Sequence, residues 1–187
     1  MKLSTLLSRS RFDDRAHDLY DAIVGQSRQP AFYLAAEVPD SVDGRFDMIV
    51  MHTVLVGRRL RACGEAGRGL DQALFDLMFA DMDRSLREMG VGDLRVGRRI
   101  KIMLKAFYGR AKAYDEALDR AADNAAGAAA MEEAVLRNLY GTVEPGDASV
   151  SAVTAYVFAA VEALDSQADD DLLAGKVTFP GFDTPHT

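Results

Sequence analysis

The stretch LDQALFDLMFADMDRSLREMGVGDLRVGRRIKIMLKAFYGRAKAY, residues 70–114, decides the fold of this chain. Its first half repeats large apolar residues at helical spacing in two adjacent rows, which are Leu70, Leu74, Leu77 and Met78 in one and Phe75, Phe79, Met82 and Leu86 in the other. Residues 88–93 contain two glycines followed by Asp93. We expect the glycines to end this helix and form the turn, and Asp93 to cap a second helix that starts near Leu94. The stretch therefore predicts two long helices joined by a tight turn.

The second helix of this pair has two chemically different faces. At about 100° per residue, one face collects apolar side chains, namely Val96, Ile100, Met103, Leu104, Phe107, Ala111, Tyr114 and Leu118. The opposite face is a basic ridge made of Arg98, Lys101, Lys105 and Lys112. Such a face is usually only solvated, but in an acidic chain a one-sided basic cluster also indicates a binding surface. Its partner would be an anionic lipid surface, RNA phosphates or an acidic segment of another protein.

Helical spacing of apolar residues continues through the rest of the chain, in residues 15–26, 31–36, 43–62, 131–139 and 149–166. The segment 43–62 is apolar nearly all round, so we expect it to be the central helix, and we expect residues 64–69 to form a glycine-containing turn into the helix pair of residues 70–114. No segment alternates as a strand would, which predicts an all-α fold, a single-domain bundle of about seven helices. We expect residues 1–12 to be a flexible leader, residues 13–168 to form the helical domain and residues 169–187 to be a loosely held tail.

Composition limits the kind of protein this is. A chain of 187 residues is long enough to bury a core without a metal or disulfide. The single cysteine, Cys63, cannot form an intramolecular bridge, which indicates a reducing compartment. With 29 acidic against 22 basic residues the net charge is −7, which argues against a general DNA or nucleic-acid binder. The apolar windows 48–56 and 150–161 are interrupted by polar residues and fall short of the ~20 residues of a membrane-spanning helix.

A search for reactive side chains predicts no catalytic residue, metal site or cofactor. A di-iron bundle would repeat a Glu-x-x-His pair on two helices, whereas this chain has one loose analogue, Asp14 with His17. His52 lies in an apolar run, where a packed and hydrogen-bonded histidine is expected more often than a metal ligand. The aspartates at positions 47, 76, 81 and 83 could act as an acid and base pair. We favour ion pairs with arginines across helix contacts for them, with Arg45, Arg58, Arg84 and Arg99 as candidate partners.

Five segments of the sequence are distinctive as a set. They are RQPAFY (28–33), VPDSVDGRFDMIVMH (38–52), ALFDLMFADMDRSLREMGVGDLRVGRRIK (73–101), AFYGRAKAYDEAL (106–118) and RNLYG (137–141). Together they resemble the ubiquinol–cytochrome c chaperone family, the bacterial relatives of the mitochondrial assembly factor for the cytochrome bc complex. The resemblance runs from about residue 16 to residue 141 and covers most of the chain.

This resemblance implies a chaperone without catalysis that binds newly made cytochrome b, or the nascent complex, and promotes assembly of ubiquinol–cytochrome c reductase. The basic ridge and an exposed aromatic loop around Phe32 and Tyr33 would then face a membrane-bound client and its anionic lipids. It implies a cytoplasmic protein, peripheral to the inner membrane of a bacterium. Mitochondrial members also work with a small partner subunit near the ribosomal exit; nothing in this sequence indicates either contact, and a partner subunit stays open.

Two other functions remain as alternatives. One is an all-α enzyme with a carboxylate site, using Asp47, Asp76 and Asp83 as its acids. The other is a generic helical scaffold or RNA-proximal factor, for which the basic ridge would bind ribosomal RNA with a steep salt dependence. Bound metal would favour the enzyme, and engagement of the three aspartates by arginines would argue against it.

Overall fold

The computed structural model describes the backbone of residues 3–121 and 125–182 and the side chains of residues 14–121 and 126–182. These ranges contain no strand, and their eight α-helices are α1 (Leu3–Ser27), α2 (Pro30–Leu34), α3 (Val42–Ala62), α4 (Gly64–Glu88), α5 (Asp93–Arg120), α6 (Ala125–Leu139), α7 (Asp147–Asp165) and α8 (Asp169–Leu173). The predicted all-α bundle is confirmed. The count of about seven helices differs by one, since α8 is a single turn within the segment expected to be a tail.

Helix α3 is the centre of the bundle. Most of its residues are buried, including the continuous run from Phe46 to Gly57. It packs against α1, α4, α5, α6 and α7. Apolar side chains around its circumference are therefore removed from solvent when the chain folds. The prediction of a central helix at residues 43–62 is confirmed. Its start is fixed by Ser41, whose hydroxyl accepts a hydrogen bond from the Gly44 backbone N–H at 3.0 Å.

Helices α4 and α5 form the antiparallel pair expected from residues 70–114. Leu70, Leu74 and Met78 are fully buried on α4. In the second apolar row Phe75, Phe79 and Met82 are half-buried, and Leu86 is buried. The turn contains Gly90 in the left-handed region, at φ 79°, as the chain reverses. Asp93 is not the cap that we predicted: Gly92 occupies that position, and the Asp93 carboxylate instead pairs with Arg87 at 2.5 Å.

The junction between α3 and α4 is much shorter than the sequence indicated. Residues 64–69 read as a glycine-containing turn, but α4 begins at Gly64, and only that residue has a positive φ, 78°. Gly67 is buried inside the first turns of α4, where a Cβ atom would lie 1.9 Å from the Leu60 carbonyl oxygen. This glycine therefore allows the backbones of α3 and α4 to cross closely.

Helix α7 is long and apolar enough to cross a membrane by length and composition. Its inner face is nevertheless part of the core, because Val153, Val157, Ala160 and Leu164 are buried against the rest of the bundle. The core helix of a bundle can pass the same test of length and hydropathy, and 44% of this apolar window is buried inside the bundle.

Both ends of the chain differ from the sequence expectation in their secondary structure. Helix α1 begins at Leu3, so helical backbone covers most of the segment 1–12, whose side chains lie outside the described residues. After α7, residues 169–182 lie against α1 and α3: Arg15 donates to the Leu173 carbonyl at 2.7 Å and Gln26 to the Pro180 carbonyl at 3.1 Å. The flexibility of the two ends stays a prediction, and residues 183–187 lie outside the described residues.

The close crossing at Gly67 gives a prediction for stability. We expect Gly67→Ala to lower the free energy of unfolding by about 1–3 kcal/mol, because the new methyl group must push α4 away from the Leu60 carbonyl. Gly97→Ala is the matched control: Gly97 is an exposed interior residue of α5, and a Cβ atom added there would have no neighbouring atom within 4 Å. There alanine should raise stability by up to about 1 kcal/mol. Urea unfolding followed by circular dichroism measures both, and equal effects would contradict the close crossing.

Candidate functional site

The outer face of α5 is basic, as the sequence predicted. Arg98, Lys101, Lys105 and Lys112 are all exposed to solvent, while Val96, Phe107, Tyr114 and Leu118 on the opposite side are buried. The inner side packs against α3, α4 and α6. These three helices occupy one side of α5, and Arg98, Lys101, Lys105 and Lys112 on its other side are left exposed by the described part of the chain.

Large apolar side chains lie among these cations, and the sequence reading did not identify them. Leu94 is 96% exposed, Ile102 is 60% exposed and Tyr108 is 59% exposed. At 100° per residue Leu94, Lys101, Lys105, Tyr108 and Lys112 project within a narrow sector of the helix, with Ile102 at its edge. The same periodicity that sorted the apolar residues inward would have found Leu94, which falls on the basic face. The outer face of α5 is therefore both cationic and apolar.

Most cations of the basic ridge have no acidic partner. Lys112 lies 3.7 Å from Glu116 one turn later, in an exposed pair that contributes little. Arg98, Lys101 and Lys105 have no carboxylate within 4 Å in the described part of the chain. Several arginines elsewhere form ion pairs with acidic side chains; Arg58, for example, lies 2.7 Å from Asp119. The positive charges of Arg98, Lys101 and Lys105, by contrast, are available to an external anion.

The prediction that Phe32 and Tyr33 form an exposed aromatic loop is wrong. Phe32 is completely buried and packs edge to face against Tyr156, with ring centroids 4.9 Å apart. Tyr33 is half-buried, and its hydroxyl donates to the Ser27 carbonyl at 2.6 Å. The large apolar residue that α2 exposes is Leu34, at 84%. Phe32 is covered because residues after α7 return across this side of the bundle, and Phe182 contacts its ring at 4.7 Å.

His52 is a packed histidine, as favoured, and it is held in one tautomer. Its Nδ1 lies 2.8 Å from the Met48 carbonyl, which can only accept, so the proton is on Nδ1. Its Nε2 therefore accepts from the Tyr156 hydroxyl, 2.7 Å away, and that hydroxyl in turn accepts from Gln26 at 2.9 Å. Complete burial lowers the pKa of His52 to about 4. Both ring nitrogens are used inside the core, so this histidine is not available as a metal ligand.

The three aspartates of the enzyme alternative are engaged separately. Asp47 of α3 lies 2.8 Å from Arg110 of α5, and Asp83 lies 2.6 Å from Arg87 on its own helix. Asp76 is exposed and accepts a hydrogen bond from the Gln72 amide at 2.9 Å. Burial raises the pKa of Asp47 to about 6, and the guanidinium opposes that shift. The prediction that arginines pair with these aspartates is confirmed for Asp47, Asp81 and Asp83. Most of the predicted partners are wrong, because among them only Arg84 forms such a pair, with Asp81.

Three other features of the described residues were candidates for a reactive or ligand-binding site: the cysteine, clusters of metal-ligating side chains, and a surface groove. Cys63 is half-buried at the α3–α4 junction beside Arg59, and burial raises the pKa of its thiol, which disfavours the nucleophilic thiolate. Within the described ranges no group of three or more histidine, cysteine or acidic residues has metal-binding geometry. A groove of about 240 Å³ between α1 and α4 is lined in part by Tyr20, whose hydroxyl donates to Asp81 at 2.9 Å. The described residues thus define a helical bundle whose distinctive surface is the cationic and apolar outer face of α5.

The sequence profile of a family described as ubiquinol-cytochrome C chaperone matches residues 34–179, from the end of α2 to beyond α8. The chain belongs to this family. The resemblance noted from the sequence segments is thereby confirmed.

Two curated relatives are assembly factor 1 of the ubiquinol-cytochrome c reductase complex in Mus musculus and in Homo sapiens. Each is 24% identical over 162 residues, which are 86% of this chain, and 53% of the mouse and 52% of the human protein. The chain thus spans about half the length of these relatives. The crystal structure of the Cbp3 homolog from Brucella abortus is 33% identical, with a TM-score of 0.82 over 100% of both chains.

The buried histidine predicts how stability depends on pH. The folded protein resists protonation of His52 down to about pH 4, whereas an unfolded chain protonates it near pH 6.5. Stability should therefore fall as pH decreases through this window, since the unfolded state binds more protons there. Between pH 7.5 and 4.5 we expect the wild type to lose roughly 2.5 kcal/mol more than His52→Gln, which has no such group.

Urea unfolding of both proteins at the two pH values measures this difference. Asp47 acts in the opposite direction, because its raised pKa adds stability as pH falls, but its effect is common to both proteins and cancels. Parallel pH profiles for the wild type and His52→Gln would contradict a neutral, buried His52.

Proposed function

We propose that this protein is an assembly chaperone for the ubiquinol–cytochrome c reductase complex, and that it binds newly made cytochrome b without catalysing a reaction. The observation that carries the proposal is the family match over residues 34–179, which includes all of α3 to α8. The names of the mouse and human relatives describe assembly factors of this complex. The family role is consistent with a bundle whose described polar groups mostly hold one another.

The open surface of α5 supports a role in binding. Three cations without an acidic partner among the described residues lie beside an almost fully exposed leucine on one helix face, and such a mixed surface favours association with a partner that is both anionic and apolar. A chaperone needs such a surface, and an enzyme would need converging reactive groups instead. Residues Arg98, Lys101, Lys105 and Lys112 are therefore our candidates for the working surface.

We also place the protein in the bacterial cytoplasm, peripheral to the inner membrane. Cytochrome b is a membrane protein, so a chaperone that meets it during assembly works at the membrane surface. The single half-buried cysteine agrees with a reducing compartment. The requirement for a small partner subunit is decided by what co-purifies with the chain.

The first test is purification of the tagged full-length protein from its own host in mild detergent, followed by cross-linking and mass spectrometry. We expect cytochrome b to be enriched over a strain that expresses the tag alone, and deletion of the gene to reduce the assembled complex. A small subunit that co-purifies in equal amount would identify a partner. Absence of cytochrome b together with normal levels of the complex would refute the proposed function.

A second test separates the chaperone from the carboxylate enzyme. Complementation of the deletion strain with the double variant Asp76→Asn/Asp83→Asn should restore the complex to wild-type levels, because these aspartates make only local contacts on α4. An enzyme that used them as acid and base would lose roughly 100-fold or more in rate. Loss of the complex with a variant that is folded by circular dichroism would therefore reopen the enzyme alternative.

A further inference from the structure

We propose that the outer face of α5 binds directly to the surface of an anionic lipid bilayer, with Leu94 inserted among the head groups. The inference deepens the proposed function and rests on it for its purpose, which is to hold the chaperone beside a membrane-embedded client. The binding event itself requires only this chain and lipid.

Charge distribution is the first argument. Residues 93–112 contain seven basic residues and one acidic residue, although the whole chain has a net charge of −7. A bilayer rich in anionic lipid repels most of the molecule and attracts this helix, so the charge pattern fixes one orientation. Arg110 is turned inward to Asp47, but Arg95, Arg98, Arg99, Lys101, Lys105 and Lys112 are exposed.

The exposed apolar residues distinguish lipid from RNA as the partner. Phosphates of RNA would use the cations but would leave Leu94, 96% exposed, in water. A bilayer interface interacts favourably with the cations and with the apolar side chains. Lysine and arginine reach the lipid phosphates, while leucine and tyrosine enter the boundary between head groups and acyl chains. Tyr108, with its ring exposed and its polar hydroxyl, is of the type enriched at membrane interfaces.

The geometry allows binding without a change of fold. From Leu94 to Lys112 the face extends over roughly 27 Å at 1.5 Å per residue, and α3, α4 and α6 all lie on the other side of α5. The helix can therefore lie flat on a membrane plane while its inner side remains packed. Met89, 54% exposed in the turn before α5, extends the apolar contact at the same end as Leu94.

Flotation of the purified full-length protein with vesicles tests this without any client. We expect it to float with phosphatidylcholine vesicles that contain about one third phosphatidylglycerol, to stay behind with pure phosphatidylcholine, and to be released by high salt. The triple variant Arg98→Glu/Lys101→Glu/Lys105→Glu should bind at least roughly 100-fold more weakly, given about 1 kcal/mol for each cation near an anionic surface.

The chain offers matched controls for both parts of the surface. Arg28→Glu/Arg68→Glu/Lys176→Glu changes the net charge equally at exposed positions outside α5 and should bind vesicles like the wild type. Leu94→Ser should weaken binding by about five-fold, whereas Leu34→Ser on α2, where the leucine is 84% exposed, should have no effect.

Several outcomes would overturn the inference. They are failure of the wild type to bind anionic vesicles, equal loss in the two charge-reversal variants, or binding of ribosomal RNA through α5 without vesicle binding. Cytochrome b co-purification then separates the two proposals. If the wild type captures cytochrome b but does not bind vesicles, only the membrane inference fails; if it binds vesicles but captures no cytochrome b, only the chaperone function fails.

Discussion

The structure depends on the burial of the central run of α3, Phe46 to Gly57, which is tolerated because the titratable groups of that run have partners inside the bundle. His52 is the clearest case, since both of its ring nitrogens are hydrogen-bonded within the core, one to the Met48 carbonyl and the other to Tyr156 of α7. An unpaired imidazole in this position would cost several kcal/mol. Asp47 is compensated instead by an ion pair with Arg110 of α5, 2.8 Å away. These contacts join α7 and α5 to the central helix in addition to apolar packing.

Packing of this kind explains why the candidate site is a surface and not a cavity. Polar and titratable groups in the described interior are mostly used to hold helices together, which leaves few of them to act on a substrate. On the outer side of α5, by contrast, Arg98, Lys101 and Lys105 have no acidic partner among the described residues and Leu94 is in water. A helix face that is both cationic and apolar is suited to recognition by contact.

Periodicity predicted the parts of the structure that follow from a single helix. It located the central helix, the α4–α5 pair and the two faces of α5, because burial at 3.6-residue spacing is local information. It failed where distant segments meet. Phe32 was expected at the surface, but its cover is supplied by Phe182 and Tyr156, more than 100 residues later. The turn expected at residues 64–69 is helical because Gly67 allows a close crossing with α3, a contact that composition does not reveal.

The return of residues 174–182 across α1 and α3 has a consequence for biosynthesis. Gln26, Phe32 and His52 lie early in the chain, but Pro180, Phe182 and Phe179 cover them only after all the helices have been made. During translation the aromatic cluster of this side therefore stays open to water while α1 to α7 leave the ribosome. Such late, long-range closure slows the completion of folding and exposes apolar surface in the meantime. This side of the core is therefore completed only when residues 174–182 have been made.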